Sequence, residues 1–87
     1  MAEYRLLIKA SAAKEIEAVG TKVDRQRVVG RIRALAADPR APGSEKLAGY
    51  ADRYRIRQGQ YRIIFLIDDG RHEVTIFKVG HRNDVYR

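Results

Sequence analysis

The sequence predicts an α+β fold, in which a helical hairpin packs on one face of a small and mostly antiparallel β-sheet. Helical periodicity occupies the first half of the chain, three strand-like segments follow in quick succession, and tight-turn dipeptides separate those strands. The predicted order is strand, helix, helix and a three-stranded meander, an order in which the helices cover one face of the sheet. At 87 residues the chain has the size of one domain, so we expect residues 1–87 to form a single domain.

The first strand and the first helix are predicted within the first 20 residues. Tyr4 to Lys9 alternates loosely between apolar and polar residues, which indicates a strand. Ser11 is able to cap a short helix that runs through Val19 and stops at Gly20, because serine and glycine are preferred at those two ends of a helix.

The second helix is expected to begin at Asp24. Val28, Ile32 and Leu35 recur at i, i+4 and i+7, so they form one apolar stripe that can pack on a sheet. Asp38-Pro39 ends the helix, because the residue before a proline disfavours helical dihedral angles.

After a loop from Ala41 to Ala51, three strands are predicted. Their bounds are Arg53–Gln58, Tyr61–Ile67 and Glu73–Val79, and Gly80 is expected to break the last one. Gly59-Gln60 separates the first two strands, and Asp69-Gly70 gives the strongest hairpin signal in the chain.

The turn dipeptides also predict a register for the meander. With two residues in each turn, Gln58 faces Tyr61 and Arg57 lies opposite Arg62. In the second hairpin Ile67 pairs with His72, and Arg62 pairs with Phe77. This register lines up one apolar face for the helices, made of Ile56, Ile63 and Ile76, with Phe65 beside Val74. Arg53, Arg55 and Arg57 alternate onto the other face.

The charge of the chain indicates a polyanionic partner. Lys+Arg number 18 against 11 Asp+Glu, a net charge of +7, and thirteen of the cations are arginine. Arginine suits planar, bidentate contact with phosphate, so nucleic acid is the expected partner, with a basic but inert surface as the alternative. No stretch approaches the roughly 20 apolar residues that span a membrane, and the first residues lack a signal-peptide pattern, so a cytoplasmic protein is expected.

Basic side chains from three parts of the chain are expected at one rim of the sheet. Arg57 and Arg62 face each other near the Gly59-Gln60 turn, and like charges in that position destabilise a sheet by roughly 0.2–1 kcal/mol. Either both side chains splay into water or an anion lies between them. The last strand runs toward the same end, so the complete rim comprises Arg55, Arg57, Arg62, His81, Arg82 and Tyr86.

These residue types fit metal-free cleavage of RNA. The sequence has no cysteine, two histidines and no carboxylate cluster, so neither a metal site nor a cofactor is expected. The ribose 2′-OH can attack the neighbouring phosphate if arginines stabilise the developing charge. His81 is able to exchange protons near neutral pH, and arginines beside Tyr86 favour its phenolate, so either could be the base.

An ordered set of motifs along the chain resembles the RelE branch of the RelE/ParE toxin superfamily. The motifs are Asp38-Pro39, Lys46-Leu47 with Gly49, Tyr54 to Arg57, Gly59 to Ile64, Val79 to Arg82, and Asp84 to Tyr86. The resemblance implies a single RelE-like toxin domain, a cognate antitoxin as partner, no membrane, and cleavage of mRNA in the ribosomal A site.

The resemblance also implies roles for individual residues. Arg57, Arg62, Arg82 and Tyr86 match active-site positions, with His81 added as a catalytic candidate. Arg55 matches an RNA-contacting position, and Arg53 and Lys46 are expected to bind RNA as well. The best-known members carry lysines where this chain has Arg55 and Arg57, which favours charge stabilisation over proton transfer there.

The expected activity is therefore that of a metal-independent mRNA interferase that inhibits translation. Two other functions remain open at this point. One is a ParE-like toxin that inhibits DNA gyrase without cutting RNA, and the other is a nucleic-acid-binding regulator without catalysis. The toxin classes share this fold, so the fold cannot distinguish these functions. The residues of the rim have to distinguish them.

Overall fold

The computed structural model describes residues 3–83. Its elements are β1 (Arg5–Ile8), α1 (Ala10–Glu17), α2 (Lys22–Ala37), β2 (Glu45–Lys46), β3 (Arg53–Gln58), β4 (Tyr61–Asp68) and β5 (Glu73–His81). The strands form one sheet in the order β1-β5-β4-β3-β2, in which only the β1–β5 pair is parallel. The predicted α+β fold, with a helical hairpin on a mostly antiparallel sheet, is confirmed.

The hydrophobic core lies between the two helices and one face of the sheet. Its buried members are Ala12, Val28, Ile32, Leu35, Ile56, Ile63, Phe65, Ile67, Val74, Ile76 and Val79. The predicted stripe on α2 and the predicted inward residues of the strands all belong to this set. Because side chains alternate along each strand, burying this face leaves Arg53, Arg55 and Arg57 on the opposite, open face.

The ends of α1 differ from the prediction. The helix begins at Ala10, and the residue before it, Lys9, makes no side-chain capping bond, so Ser11 is not the cap. The helix ends at Glu17 with Ala18 as its C-cap, so Gly20 does not stop it. Instead, the Gly20 N–H donates to the hydroxyl of Tyr61 at 3.2 Å, which ties the helix–helix turn to the sheet.

The second helix starts two residues earlier than predicted. Thr21 is the N-cap, and its hydroxyl accepts a bond from the Asp24 N–H at 3.1 Å, so Asp24 lies in the first turn and does not open the helix. The helix ends before Asp38, as predicted. The predicted loop from Ala41 to Ala51 contains the two-residue strand β2, which the sequence pattern does not reveal.

The register of the β3–β4 hairpin is the predicted one. Gln58 pairs with Tyr61 and Arg57 pairs with Arg62. β4 ends at Asp68 and β5 begins at Glu73. The turn between them therefore contains residues 69–72 and is longer than predicted. Here His72 adopts a positive φ of 57°.

The longer turn and a β-bulge overturn the predicted β4–β5 pairs. The turn moves the register by two residues, so Ile67 pairs with Val74 and not with His72. A bulge then leaves Phe77 without a Cα partner, since Phe65 pairs with Ile76 and Ile64 with Lys78. In consequence Arg62 faces Gly80, Ile63 faces Val79, and β5 continues through Gly80 to His81.

Candidate functional site

The open face of the sheet carries a cavity of about 320 Å³ at the β2–β3–β4 end. Its lining consists of Gly43, Glu45, Arg55, Ile56, Arg57 and Arg62. Three of these six residues are arginines, contributed by two adjacent strands. The cavity is therefore strongly cationic, and its guanidinium groups suit the charge and the acceptor oxygens of a phosphate group.

Arg57 and Arg62 form the cationic pair of this cavity. They are Cα partners across β3 and β4, one residue from the turn at Gly59, which has a positive φ of 59°. The neighbouring Ile56 and Ile63 are buried in the core on the other face and fix the backbone beneath the pair. Two like charges held this rigidly can stabilise an anion without prior rearrangement, which is the arrangement electrostatic catalysis requires.

Glu45 is the member of the cavity that the sequence analysis missed. It pairs with Arg55 across β2 and β3, and its Oε2 accepts bonds from Nε at 3.2 Å and Nη2 at 2.7 Å of that guanidinium. The hydrogen bond and charge of Arg55 lower the pKa of Glu45, and the charges of Arg57 and Arg62 lower it further. The carboxylate is thus ionised at neutral pH. No sequence signal marks a strand of two residues.

His81 lies at the same end of the sheet as the arginine pair but on the opposite face. It is the Cα partner of Tyr61, and the two rings meet edge to face with centroids 5.9 Å apart. Tyr61 packs against the core and bonds to the α1–α2 turn, so His81 belongs to the helix side. The predicted convergence of His81 with Arg57 and Arg62 is not what the structure describes.

Three predicted site residues remain: Arg82 and Tyr86 of the rim, and Lys46, which was expected to bind RNA. The Arg82 N–H donates to the Gln60 carbonyl at 2.8 Å, so the exposed Arg82 follows directly beside the β3–β4 turn, as expected. Tyr86 lies outside the described residues. Lys46 pairs with Tyr54, whose ring packs against the core, so Lys46 also belongs to the helix side.

Arg53 is held between two aromatic rings on the open face. Its guanidinium carbon lies 4.4 Å from the ring centroid of Tyr50 and 4.7 Å from that of Phe77. Contacts of this kind orient a guanidinium without neutralising it. The bulge at Phe77 supplies one of the two rings. Arg53 therefore extends the cationic surface of the cavity along β3.

Within residues 3–83 no three histidine, aspartate or glutamate side chains are grouped as a metal site would need. No helix in this part of the chain is both long enough and apolar enough to cross a bilayer.

Together the fold and the cationic cavity define a small toxin of a known class. Residues 6–86 match the family model described as ParE toxin of the type II toxin–antitoxin system, parDE, and the chain belongs to this family. More particularly, it is a RelE-type toxin of the RelE/ParE superfamily. The toxin RelE of Mycobacterium tuberculosis is 29% identical to it over 84 residues, which are 97% of this chain and 87% of that protein.

Solved structures of related toxins have the same fold. A RelE–RelB complex from the archaeon Pyrococcus horikoshii matches with a TM-score of 0.82 and 25% identity, over 95% of this chain and 99% of that one. The toxin–antitoxin complex RelBE2 from Mycobacterium tuberculosis matches with a TM-score of 0.79 and 26% identity, over 97% of both chains. The predicted resemblance is confirmed, and the chain is the toxin component of a type II toxin–antitoxin system.

Proposed function

We propose that this toxin is a ribosome-dependent mRNA endonuclease, acting in the cytoplasm on mRNA in the ribosomal A site and thereby inhibiting translation. The observation that carries the proposal is the rigid Arg57–Arg62 pair in the cationic cavity. Like charges that face each other across strands destabilise a sheet, so an anion close to both arginines stabilises the arrangement. A phosphate between them removes that cost.

The proposed reaction is attack of a ribose 2′-oxygen on the adjacent phosphorus. A base takes the 2′-hydroxyl proton, the bond from phosphorus to the 5′-oxygen breaks, and that oxygen gains a proton. Arg57 and Arg62 stabilise the charge that develops on the phosphate oxygens, and Arg82 joins them from the end of β5. DNA has no 2′-hydroxyl, so the same site leaves DNA intact.

Tyr86 is the better candidate for proton transfer. The placement of His81 on the helix side of the sheet supports this, because a base must come within hydrogen-bond reach of its proton. Cationic neighbours favour the phenolate form of a tyrosine, and a phenolate is the better proton acceptor. Arg55 and Arg53 are proposed to hold the flanking phosphates of the RNA.

A cognate antitoxin is the proposed partner. Two of the matching solved structures are toxin–antitoxin complexes, RelE–RelB and RelBE2. We expect the antitoxin of this chain to place acidic side chains opposite Arg57, Arg62 and Arg82, because complementary charges speed association and fix specificity.

Primer extension on mRNA in a translating extract tests the proposed activity. Addition of the toxin should give new 3′ ends at codons in the A site, and an Arg62→Ala variant should not. The cuts should persist when a chelator is added at a level that leaves ribosomes intact, since the reaction described needs no metal. Growth arrest without new mRNA ends, in cells that still synthesise protein, would contradict the proposal.

Gyrase inhibition is a second candidate, favoured by the ParE description of the matching family model. A gyrase supercoiling assay with the purified toxin separates the two functions. Loss of supercoiling at toxin concentrations that leave mRNA uncut would establish this candidate in place of the first.

A further inference from the structure

The cavity already contains an anion, and that anion belongs to the protein. The Glu45 carboxylate receives two bonds from the Arg55 guanidinium, at 2.7 and 3.2 Å, and lines the same cavity as Arg57 and Arg62. Both bonds end at one carboxylate oxygen, Oε2, and a phosphate oxygen can accept from the same two N–H groups. Glu45 therefore occupies donors that a phosphate of the substrate would use.

The bond between Glu45 and Arg55 is of a kind that a competing anion can open. The side chains of Arg55 and Glu45 are 38% and 64% exposed, and exposed ion pairs are weak. Glu45 also lies on β2, which has two residues and forms the edge of the sheet beyond β3. Movement of this carboxylate out of the cavity would disturb neither the core nor the central strands.

The ionisation state of Glu45 fits this role. Its pKa is lowered by Arg55 first and by Arg57 and Arg62 in addition, so the carboxylate stays charged when no substrate is bound. A carboxylate with a lowered pKa is a poor proton acceptor, which argues against a role as the catalytic base. Its effect on the site is therefore electrostatic.

We propose that Glu45 is a positioning residue that acts as an internal competitor for phosphate: it holds Arg55 at the edge of the cavity and is displaced when an RNA phosphate binds. The proposal rests on the proposed function for the identity of the incoming phosphate. Because of Glu45, an anion has to bind the arginines strongly enough to open the Glu45–Arg55 pair. Weakly held polyanions leave the Glu45–Arg55 pair closed, whereas an RNA presented to several arginines at once opens it.

Anion binding by the purified full-length chain tests this role without any cleavage. The probes are inorganic phosphate and an RNA trinucleotide made uncleavable by 2′-deoxy substitution, and binding is followed by NMR titration of arginine Nε–H signals. Glu45→Gln should bind both probes roughly two- to fivefold more tightly, the range that an exposed ion pair supplies. Glu45→Asp keeps the charge and should stay near the wild type.

Two further variants distinguish displacement of Glu45 by phosphate from the general effect of removing a negative charge. Glu17→Gln removes the same charge from an exposed position on α1 and should leave the affinity unchanged. In an Arg55→Ala background the gain from Glu45→Gln should fall below about twofold, because the partner through which Glu45 acts is gone.

Unchanged or weaker anion binding by Glu45→Gln would overturn the proposal, as would a gain that persists in full without Arg55. These outcomes are independent of the mRNA cleavage assay. If Glu45→Gln binds anions more tightly but the toxin cuts no mRNA, the proposed function is refuted. The role of Glu45 as an internal competitor for phosphate is then still supported.

Discussion

Arg62 lies on β4, the middle strand of the sheet, with β3 and β5 on either side. Its backbone is therefore paired on both sides, with Arg57 on β3 and Gly80 on β5, and Gly80 places no side chain in its way. A preorganised donor of this kind typically contributes about 100- to 1,000-fold to a rate.

Arg62→Ala should accordingly reduce the rate of mRNA cleavage by about 100- to 1,000-fold and abolish toxicity, with the fold retained. Arg55→Ala should mainly raise KM, because a contact that binds ground and transition states alike does not change the chemical step. Arg33→Ala, an exposed arginine on α2, is the matched control. Full toxicity of Arg62→Ala at matched expression would show that Arg62 does not contribute more to cleavage than Arg55.

His81 and Tyr86 can be separated by the pH dependence of cleavage. If Tyr86 transfers the proton, Tyr86→Phe should flatten the pH–rate profile, whereas His81→Gln should keep its shape and cost at most a little stability. The measurement is kcat across pH 6–9 for both variants, a range chosen to bracket the usual histidine pKa of about 6.5. A flattened pH–rate profile for His81→Gln would show that His81 transfers the proton.

Asp69 gives a residue-scale prediction about stability and pH. Its carboxylate accepts two bonds from Arg40, at 3.1 and 2.8 Å, and one from the Tyr4 hydroxyl at 2.6 Å. The Arg40 bonds first, and then the Tyr4 bond, lower the pKa of Asp69 from 3.8 to about 2. A lowered pKa in the folded state means that this stabilisation is present above pH 4 and is lost as the pH falls toward 2.

Wild type should therefore be more stable than Asp69→Asn at neutral pH, and the difference should shrink between pH 4 and pH 2. Thermal unfolding of both proteins across this range measures it, with Glu17→Gln as a control that shows no such convergence. A Tm difference that stays constant down to pH 2 would contradict the assigned partners.

The candidate site shows which residue positions a sequence can predict. The Arg57–Arg62 pair was predicted correctly because a two-residue turn at Gly59-Gln60 fixes the register over a short distance. Glu45 was missed because its strand is too short for any alternation to show. The site chemistry at Tyr86 stays a prediction.

At the scale of elements, the bulge at Phe77 decides which face of the sheet each later side chain of β5 occupies. Before the bulge, Val74 and Ile76 face the helices; after it, Val79 and His81 do so. Without the extra residue, alternation would have placed Val79 beside Arg62 and left Gly80 facing inward. Since the sequence carries no sign of where a bulge falls, the predicted β4–β5 pairs were wrong, while the inward residues of β3 and β4 were right.

The helix caps allow a paired test at the same scale. Thr21→Ala removes the hydroxyl that accepts the Asp24 N–H and should lower the free energy of unfolding by about 0.5–2 kcal/mol. Ser11→Ala should change it by less than about 0.5 kcal/mol, because Ser11 lies inside α1 and the residue before the helix makes no side-chain cap. Urea unfolding followed by circular dichroism measures both. An equal loss for the two variants would mean that Ser11 contributes a cap after all.

Helix positions were easier to predict than helix ends. The stripe of Val28, Ile32 and Leu35 spans two turns, so several residues report the same periodicity. An end depends on one or two side chains, and Ser11, Thr21 and Asp24 are all competent caps by residue type. The backbone conformation at the start of each helix decides which of these residues is the cap.

At the scale of the whole molecule, the arginines of β3 and β4 lie on the open face of the sheet, whereas the apolar core lies on the helix side. An antitoxin that neutralises this toxin should cover the open face with acidic residues and bury apolar surface as well. The two proteins should co-purify at moderate salt, and the association rate should fall as salt is raised, since steering by charge is screened. Surface plasmon resonance at several salt concentrations measures this. Dissociation of the complex by moderate salt alone would show that apolar burial contributes little.

The parallel pair of β1 and β5 has a consequence for how the toxin is made. The first strand to be synthesised pairs with the last one, and two helices and three strands lie between them in the chain. Chains are synthesised and begin folding from the N-terminus, and contacts this distant in sequence form late. Until β5 has joined the sheet, Arg62 lacks the strand that flanks it on one side. The central arginine of the cavity is therefore fixed in place only when the last strand has paired.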